Sequence, residues 1–290
     1  MHPSASPTWH DMRMACQETL ATAGIEEASI EATYLIQDIF DVSSAFILTH
    51  ANEPIPSASN PLWQKLKQST QKRASGIPLA YVLQRWVFRK TTYTIMKGVL
   101  IPRPETELLV DIALKKIHQT NPTHIVELGY GSGVISCELA LDYPAIPIIG
   151  WDISPFAYTC ASNNIHTLGI KNISIYLGDF FEQFPRWLQQ MPDCKILLVS
   201  NPPYIPTDTI AGLDPVVTQH EPHLALDGGK DGLDFYTKLM ACVPQHIPII
   251  VEIGIDQSPA ITVLSHRYGR DPIFYDDLQG IPRVCSIVPL

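Results

Sequence analysis

Four apolar runs between residues 124 and 201 each end on a side chain able to do chemistry. HIVELG ends on Glu127 and leads into Gly129-Tyr130-Gly131-Ser132-Gly133. IPIIGWD ends on Asp152, ISIYLGD on Asp179 with Phe180 after it, and KILLVSN on Asn201 with Pro202-Pro203-Tyr204 after it. In open parallel sheets, ligands bind at the carboxyl ends of the strands, so these residues should share one rim. Glycines at 129, 131 and 133 allow a sharp turn and a close approach of backbone N–H groups to a ligand. Asp152 lies 19 residues beyond Gly133, the usual place for a carboxylate that grips a ribose diol. Together these point to a nucleotide-type cofactor without saying which. A helix cap is the plain alternative for Asp152 and Asp179, and a tight strand-to-helix turn is the plain alternative for the glycines.

Asn201 narrows the choice. A dehydrogenase has no use for Asn-Pro-Pro-Tyr after its fourth strand, whereas an enzyme that methylates a planar NH2 group does. Such a nitrogen is a poor nucleophile because its lone pair is delocalised, so the site must hold it in line with a methyl donor. The Asn201 side-chain oxygen can accept one N–H, and the Pro202 carbonyl, fixed because Pro203 follows, can accept the other. Tyr204 offers a flat face for packing. Orientation then carries much of the rate gain. The plain alternative is a proline turn.

The elements that must position these residues follow from periodicity. Trp9, Met12, Cys16, Leu20 and Ala23 fall at helical spacing, with Gly24 to close the helix, and Ala28 to Phe40 carry a second apolar face. A short piece follows at 43–50. Asn60-Pro61 reads as a cap with proline at the first helical position, opening a helix that Gly76 ends. Residues 1–76 are thus expected to form a small helical, partner-binding domain. Tyr81–Arg89 and Thr92–Met96 suggest a hairpin, with residues 77–99 as a linker. Pro104 starts another helix, with Glu105 and Glu107 in its first turn. Five apolar runs then alternate with helical stretches, which means a parallel sheet covered on both faces. The last two runs, PIFYDD and RVCSIVPL, are joined by too short a turn for a crossover and should pair antiparallel at the sheet edge. The fold class is α/β, with a mostly parallel seven-stranded sheet over residues 100–290.

Composition bounds the rest. The chain has 290 residues and a net charge of -9, which argues against a general nucleic-acid binder. No acidic residue occurs between Glu53 and Glu105, an interval holding Lys65, Lys67, Lys72, Arg73, Arg85, Arg89, Lys90, Lys97 and Arg103. That interval is either a solvated basic face or a docking surface for an anionic partner. The first residues show no basic patch followed by an apolar core, and no run approaches a membrane span. Six scattered cysteines without a C-x-x-C pair read as reduced thiols, mostly buried, of a cytoplasmic protein. No metal site is expected.

With these residues in view, NPPY and ELGYGSG resemble the amino-methylating enzymes that use S-adenosylmethionine. LIPRPETELLV (residues 100–110) and EPHLALDGGKDGL (221–233) are similar to segments of the release-factor glutamine methyltransferases, as are VEIGIDQ and the terminal Asp277 and Arg283. The resemblance covers residues 76–290 by motif, and the N-terminal part only by length and helical character. It implies a Rossmann-like class I methyltransferase. The substrate it implies is the glutamine of the Gly-Gly-Gln loop in peptide chain release factors, methylated on its side-chain amide nitrogen with release of S-adenosylhomocysteine. Carried over by position, Glu127 and Gly129 to Gly133, including Tyr130 and Ser132, would face the methionine part of the cofactor. Asp152 would hold its ribose, and Asp179 and Phe180 would flank the adenine. Asn201 to Tyr204 would hold the glutamine amide, with Asn201 also touching the cofactor, and Phe88 and Arg103 would line the substrate pocket. The helical domain would contact the release factor.

The chain departs from the family where Glu127 and Tyr130 replace Asp and Thr. It departs again where Arg89 and Lys90 follow Phe88, and where VPQHIP stands for a glycine turn before the fifth strand. The same site chemistry suits glutamine in a ribosomal protein, or an adenine amino group in DNA or RNA flipped into the pocket. A binding module that has lost transfer is the reading from another class. The chain carries no large extra domain for reading nucleic acid, so nucleic acid enters at most indirectly.

Overall fold

The computed structural model describes residues 7–55 and 61–290. It divides into two compact units, residues 1–84 and 85–290. In the first, α1 (Trp9–Thr22), α2 (Ala28–Phe40) and α4 (Pro61–Ala74) pack on one another, with α3 (Ser44–Thr49) and α5 (Leu79–Leu83) beside them. A reciprocal cap starts α1: the Thr8 hydroxyl accepts from Asp11 N–H while the Asp11 carboxylate accepts from Thr8 N–H. Met12, Cys16, Leu20, Leu35, Ile36 and Leu66 fill the core. The Arg73 guanidinium closes the packing with a two-pronged bond to Glu31, at 2.6 and 3.0 Å. Pro61 does open α4, and Asn60 lies outside the described residues. The strand expected from Tyr81 is corrected for its first residues. Leu79–Leu83 is a helical turn that buries Leu79 and Ala80, and it ends at Gln84 in the left-handed region. Burial overrides the strand preference of Tyr81 and Val82 there.

The second unit opens with the hairpin β1 (Arg85–Phe88) and β2 (Thr91–Thr94). This hairpin is anchored within its own unit. Tyr93 donates its hydroxyl to Glu138 at 2.6 Å, and Thr94 N–H donates to the Asn164 side chain at 2.7 Å. The helix α6 (Thr106–Thr120) follows, and then the alternation: β3 (His124–Leu128), α7 (Val134–Asp142), β4 (Ile148–Asp152), α8 (Pro155–Thr167), β5 (Ile173–Leu177), α9 (Phe180–Gln189) and β6 (Ile196–Ser200). Beyond β6 come the short helices α10 (Thr207–Ile210) and α11 (Pro215–His220), then α12 (Asp234–Cys242), β7 (Ile249–Glu252), α13 (Ser258–Arg267), β8 (Arg270–Asp276) and β9 (Pro282–Pro289).

The seven strands run in the order β5-β4-β3-β6-β7-β9-β8. The first five are parallel, and the last two are antiparallel to each other, with β9 also antiparallel to β7. Helix α7 touches both α6 and α8, and α12 touches both α9 and α13, so the covering helices fall into two groups. The strand order reverses between β3 and β6, where Leu128 sits opposite Ser200 and the Ser200 hydroxyl donates to the Leu128 carbonyl at 2.7 Å. The glycine turn and Asn201 therefore leave the sheet side by side, at the crevice where open sheets bind ligands. In VPQHIP the work of a glycine turn falls to Arg270. Fully buried, its guanidinium donates to the carbonyls of Val243, Pro244 and Ile247 at 2.7 to 2.9 Å.

Candidate active site

Two cavities meet at the strand ends. The larger, about 430 Å³, is lined along one side by Gly129, Gly131, Asp152, Asp179 and Phe180. The smaller, about 160 Å³, is lined by Arg103, Pro202, Tyr204 and a ring of aliphatic side chains. Asn201 borders both.

The larger cavity is shaped by the turns after β3, β4 and β5. Gly129 (φ +69°) and Gly131 (φ +53°) adopt left-handed backbone, and a Cβ on either would point into open space. The turn is pinned from below. Gly131 N–H donates to Asp152 Oδ2 and Ser154 N–H to Oδ1, both at 2.9 Å. Ser154 itself caps α8, so Asp152 is a cavity residue rather than the cap. Burial pushes its pKa up, against the pull of those backbone donors. Asp179 serves twice: it is the N-cap of α9, accepting from Phe181 N–H at 2.8 Å, and it borders the cavity. Phe180 is buried between Phe184, stacked at 4.6 Å, and the edge of Trp151. The Trp151 indole is fixed by its own N–H to Gln183 at 2.9 Å.

Three residues expected at the cofactor lie behind the turn instead. Tyr130 is buried against Ala157, Ala161 and Ile175, with its ring on Gly150, where a Cβ would stand 2.9 Å from Tyr130 Cδ1. Its bulk is thus absorbed by a glycine in β4 and stays out of the cavity. Ser132 is buried, its carbonyl accepting from Asn164 at 2.8 Å. Glu127 is buried, with Oε2 accepting both the N–H and the hydroxyl of Ser136 in α7. Its Oε1 has no partner, and burial pushes its pKa up to about 8. Gly133 does not line the cavity either; at φ +78° it starts α7, packed on Ala161.

Around the smaller cavity, Arg103 pairs with Glu221 at 2.5 Å, and Ile101 N–H donates to the same carboxylate at 3.2 Å. This ties IPRP to the segment after α11. Phe88 packs edge-on against Tyr93 and lines neither of these two cavities. Behind Asn201 lies a buried polar group that strand-end reasoning missed: Thr106 at the start of α6 and Glu252 at the end of β7. The signal available was an acid closing the apolar run IIVE. Gly98 to Leu100, Phe181, Asp234 and Lys238 also border the larger cavity without having been singled out.

The profile described as PrmC N-terminal domain matches residues 11–83, and that described as Methyltransferase domain matches residues 119–201. A protein of Geobacter sulfurreducens named release factor glutamine methyltransferase is 32% identical over 270 residues, covering 91% of each chain. The chain belongs to the release factor glutamine methyltransferase family. Members from Moorella thermoacetica and Caulobacter vibrioides are 34% and 35% identical, covering 91% and 89% of this chain and 90% and 88% of their own. Among solved structures, the hMettl16 catalytic domain in complex with the MAT2A 3'UTR hairpin 6 shares the fold. Its TM-score is 0.52 at 10% identity, over 79% of this chain and 82% of that one. This methyltransferase is therefore an enzyme of α/β class I architecture preceded by the helical domain of its family. Among the described residues no helix is long and apolar enough to cross a membrane, and no group of acids, histidines and cysteines could hold a metal ion.

Proposed function

We propose that this methyltransferase moves a methyl group from S-adenosylmethionine to the side-chain amide nitrogen of the Gly-Gly-Gln glutamine of peptide chain release factors, in the cytoplasm. The observation that carries this reading is Asn201, bordering both the large and the small cavity. The residues present fit the cofactor. The glycine turn leaves open the space that a Cβ would fill, and the Asp152 carboxylate, held by two backbone N–H groups, borders the same cavity. Gly129 and Gly131 would hold the methionine end, Asp152 the ribose, and Asp179 and Phe180 the adenine. When bound, the cofactor supplies an electrophilic methyl group on a sulfonium.

The chain's part is to hold the acceptor. Asn201 Oδ1 takes one amide N–H and the Pro202 carbonyl the other, which turns the nitrogen lone pair toward the larger cavity. Both oxygens carry the negative end of a dipole, so they stabilise positive charge as it develops on nitrogen. Tyr204 and the aliphatic lining exclude water, which strengthens both bonds. Held this way, the amide nitrogen would take the methyl group at the expense of the sulfonium C–S bond and lose one proton to solvent, leaving a neutral methylated amide and S-adenosylhomocysteine. Asn201→Ala is expected to lower kcat/KM about 100-fold or more, as loss of a transition-state hydrogen bond does. Cofactor binding should survive: ligand at about 100 times Kd stabilises the fold by about 2.7 kcal/mol, seen as a rise in Tm. Full transfer by the variant would remove Asn201 from the mechanism. Absence of a thermal shift in the parent protein would remove the cofactor.

A further inference from the structure

The polar groups behind the Asn-Pro-Pro-Tyr turn form a chain with a direction. Glu252 is fully buried at the end of β7; its Oε2 accepts the Thr106 hydroxyl at 2.7 Å and its Oε1 the Tyr204 hydroxyl at 3.1 Å. The Tyr236 hydroxyl holds the same residue from behind, donating to its backbone carbonyl at 2.8 Å. A threonine hydroxyl has one proton. Once that proton is given to Glu252, Thr106 Oγ1 can only accept. It accepts from Asn201 Nδ2 at 3.1 Å. The Asn201 carboxamide is thereby polarised, with its NH2 turned back toward α6 and its oxygen left for the cavities.

We propose that Glu252 and Thr106 are positioning residues that fix the Asn201 carboxamide oxygen-outward and so make the site select a neutral NH2 acceptor over a carboxylate. The proposal rests on the reading of the site as one that accepts an amide. A glutamine NH2 meets a fixed acceptor and is held nitrogen-first. A glutamate at the same place would set two acceptors against each other in a water-poor pocket, leaving both unpaired. With the relay cut, the carboxamide is free to turn over. It then offers donors, holds glutamine oxygen-first in an unproductive pose, and tolerates a carboxylate. Binding survives and turnover does not, which is the mark of lost orientation rather than lost affinity.

The test has two independent arms. In the nitrogen-15-labelled full chain, the Asn201 side-chain NH2 signals are assigned by their absence in Asn201→Asp. One proton should exchange slowly with solvent in the parent and about tenfold faster in Thr106→Val. Thr106→Ser should recover the protection, and Glu252→Gln, which can donate to Thr106 and reverse its hydroxyl, should lower it. In the second arm, with a release factor as acceptor, Thr106→Val should lose about 10- to 100-fold in kcat. KM should stay within about threefold of the parent, and Thr106→Ser should recover most of the loss. A release factor with Gln→Glu in its loop should inhibit Thr106→Val more strongly than the parent. Unchanged protection in Thr106→Val overturns the relay. Equal losses in the valine and serine variants also overturn it, since they mean packing alone. If protection follows the hydroxyl while the parent leaves release factor unmodified, the relay stands and the substrate reading falls.

Discussion

The carboxyl group of Glu127 is fully enclosed behind the glycine turn, holding Ser136 with one oxygen and nothing with the other. Burial favours the neutral form, and the carboxyl keeps its proton up to about pH 8 in place of the ordinary 4.5. In the cofactor-free protein the folded state therefore holds a proton that the unfolded chain gives up. The contribution of this group to stability is greatest below about pH 4.5 and falls as pH rises toward about 8, by up to about 1.4 kcal/mol per pH unit crossed. Glu127→Gln should flatten that slope and gain stability over the parent at pH 8.5, as measured by denaturant unfolding at pH 5.5 and 8.5. Equal slopes in the two proteins would show that Glu127 is already ionised. At this scale, Asp152 and Asn201 could be read from the chain because a polar side chain closing an apolar strand marks the ligand rim. Glu127 and Tyr130 could not be placed, because strand alternation and a glycine at 150 decide which way they turn.

Among the elements, the segment after α11 does most to hold the Asn-Pro-Pro-Tyr turn, although only its resemblance to a family segment drew attention to it. Ile205 pairs with Asp227 in a parallel bridge, and Gly228 N–H donates to the Ile205 carbonyl at 2.9 Å. A Cβ on Gly228 would stand 2.8 Å from Tyr204 Cα. Gly232 is tighter still: it has φ +75°, and its Cβ would overlap the Tyr204 carbonyl. Gly232→Ala should therefore cost about 1 to 3 kcal/mol in stability through backbone strain. It should also lower kcat by moving Tyr204 and Asn201 together. A variant with parental Tm and kcat would mean that the turn is held elsewhere. The parallel strands and the antiparallel edge pair were legible from run lengths and connection lengths, whereas the order of the strands was not. The helical turn at residues 79–83 was not, since its composition favours a strand and only burial of Leu79 and Ala80 settles it.

Over the whole molecule, each unit has its own core, and the acid-free interval from 54 to 104 divides by what its cations touch. Arg73 pairs with Glu31, Arg89 with Asp111 and Glu138, and Arg103 with Glu221, each within its own unit. Lys65, Lys67 and Lys72 are exposed along α4, with Lys67 over the Trp63 ring at 5.0 Å. Sequence charge alone cannot separate cations spent on structure from those left at the surface. We propose that these lysines help capture the release factor. Their reversal to Glu should raise KM about 3- to 10-fold at low salt, with the difference shrinking as salt rises. An unmoved KM would leave them as a solvated face. Methyl transfer to one side-chain amide can be read by mass spectrometry. A release factor and its Gln→Ala loop variant are each incubated with the enzyme and S-adenosylmethionine, then digested and fragmented. One added methyl group is expected, on the Gly-Gly-Gln glutamine of the parent factor and nowhere on the variant; a methyl group on any other residue, or an unmodified factor beside an enzyme shown to bind the cofactor, would overturn the proposed reaction.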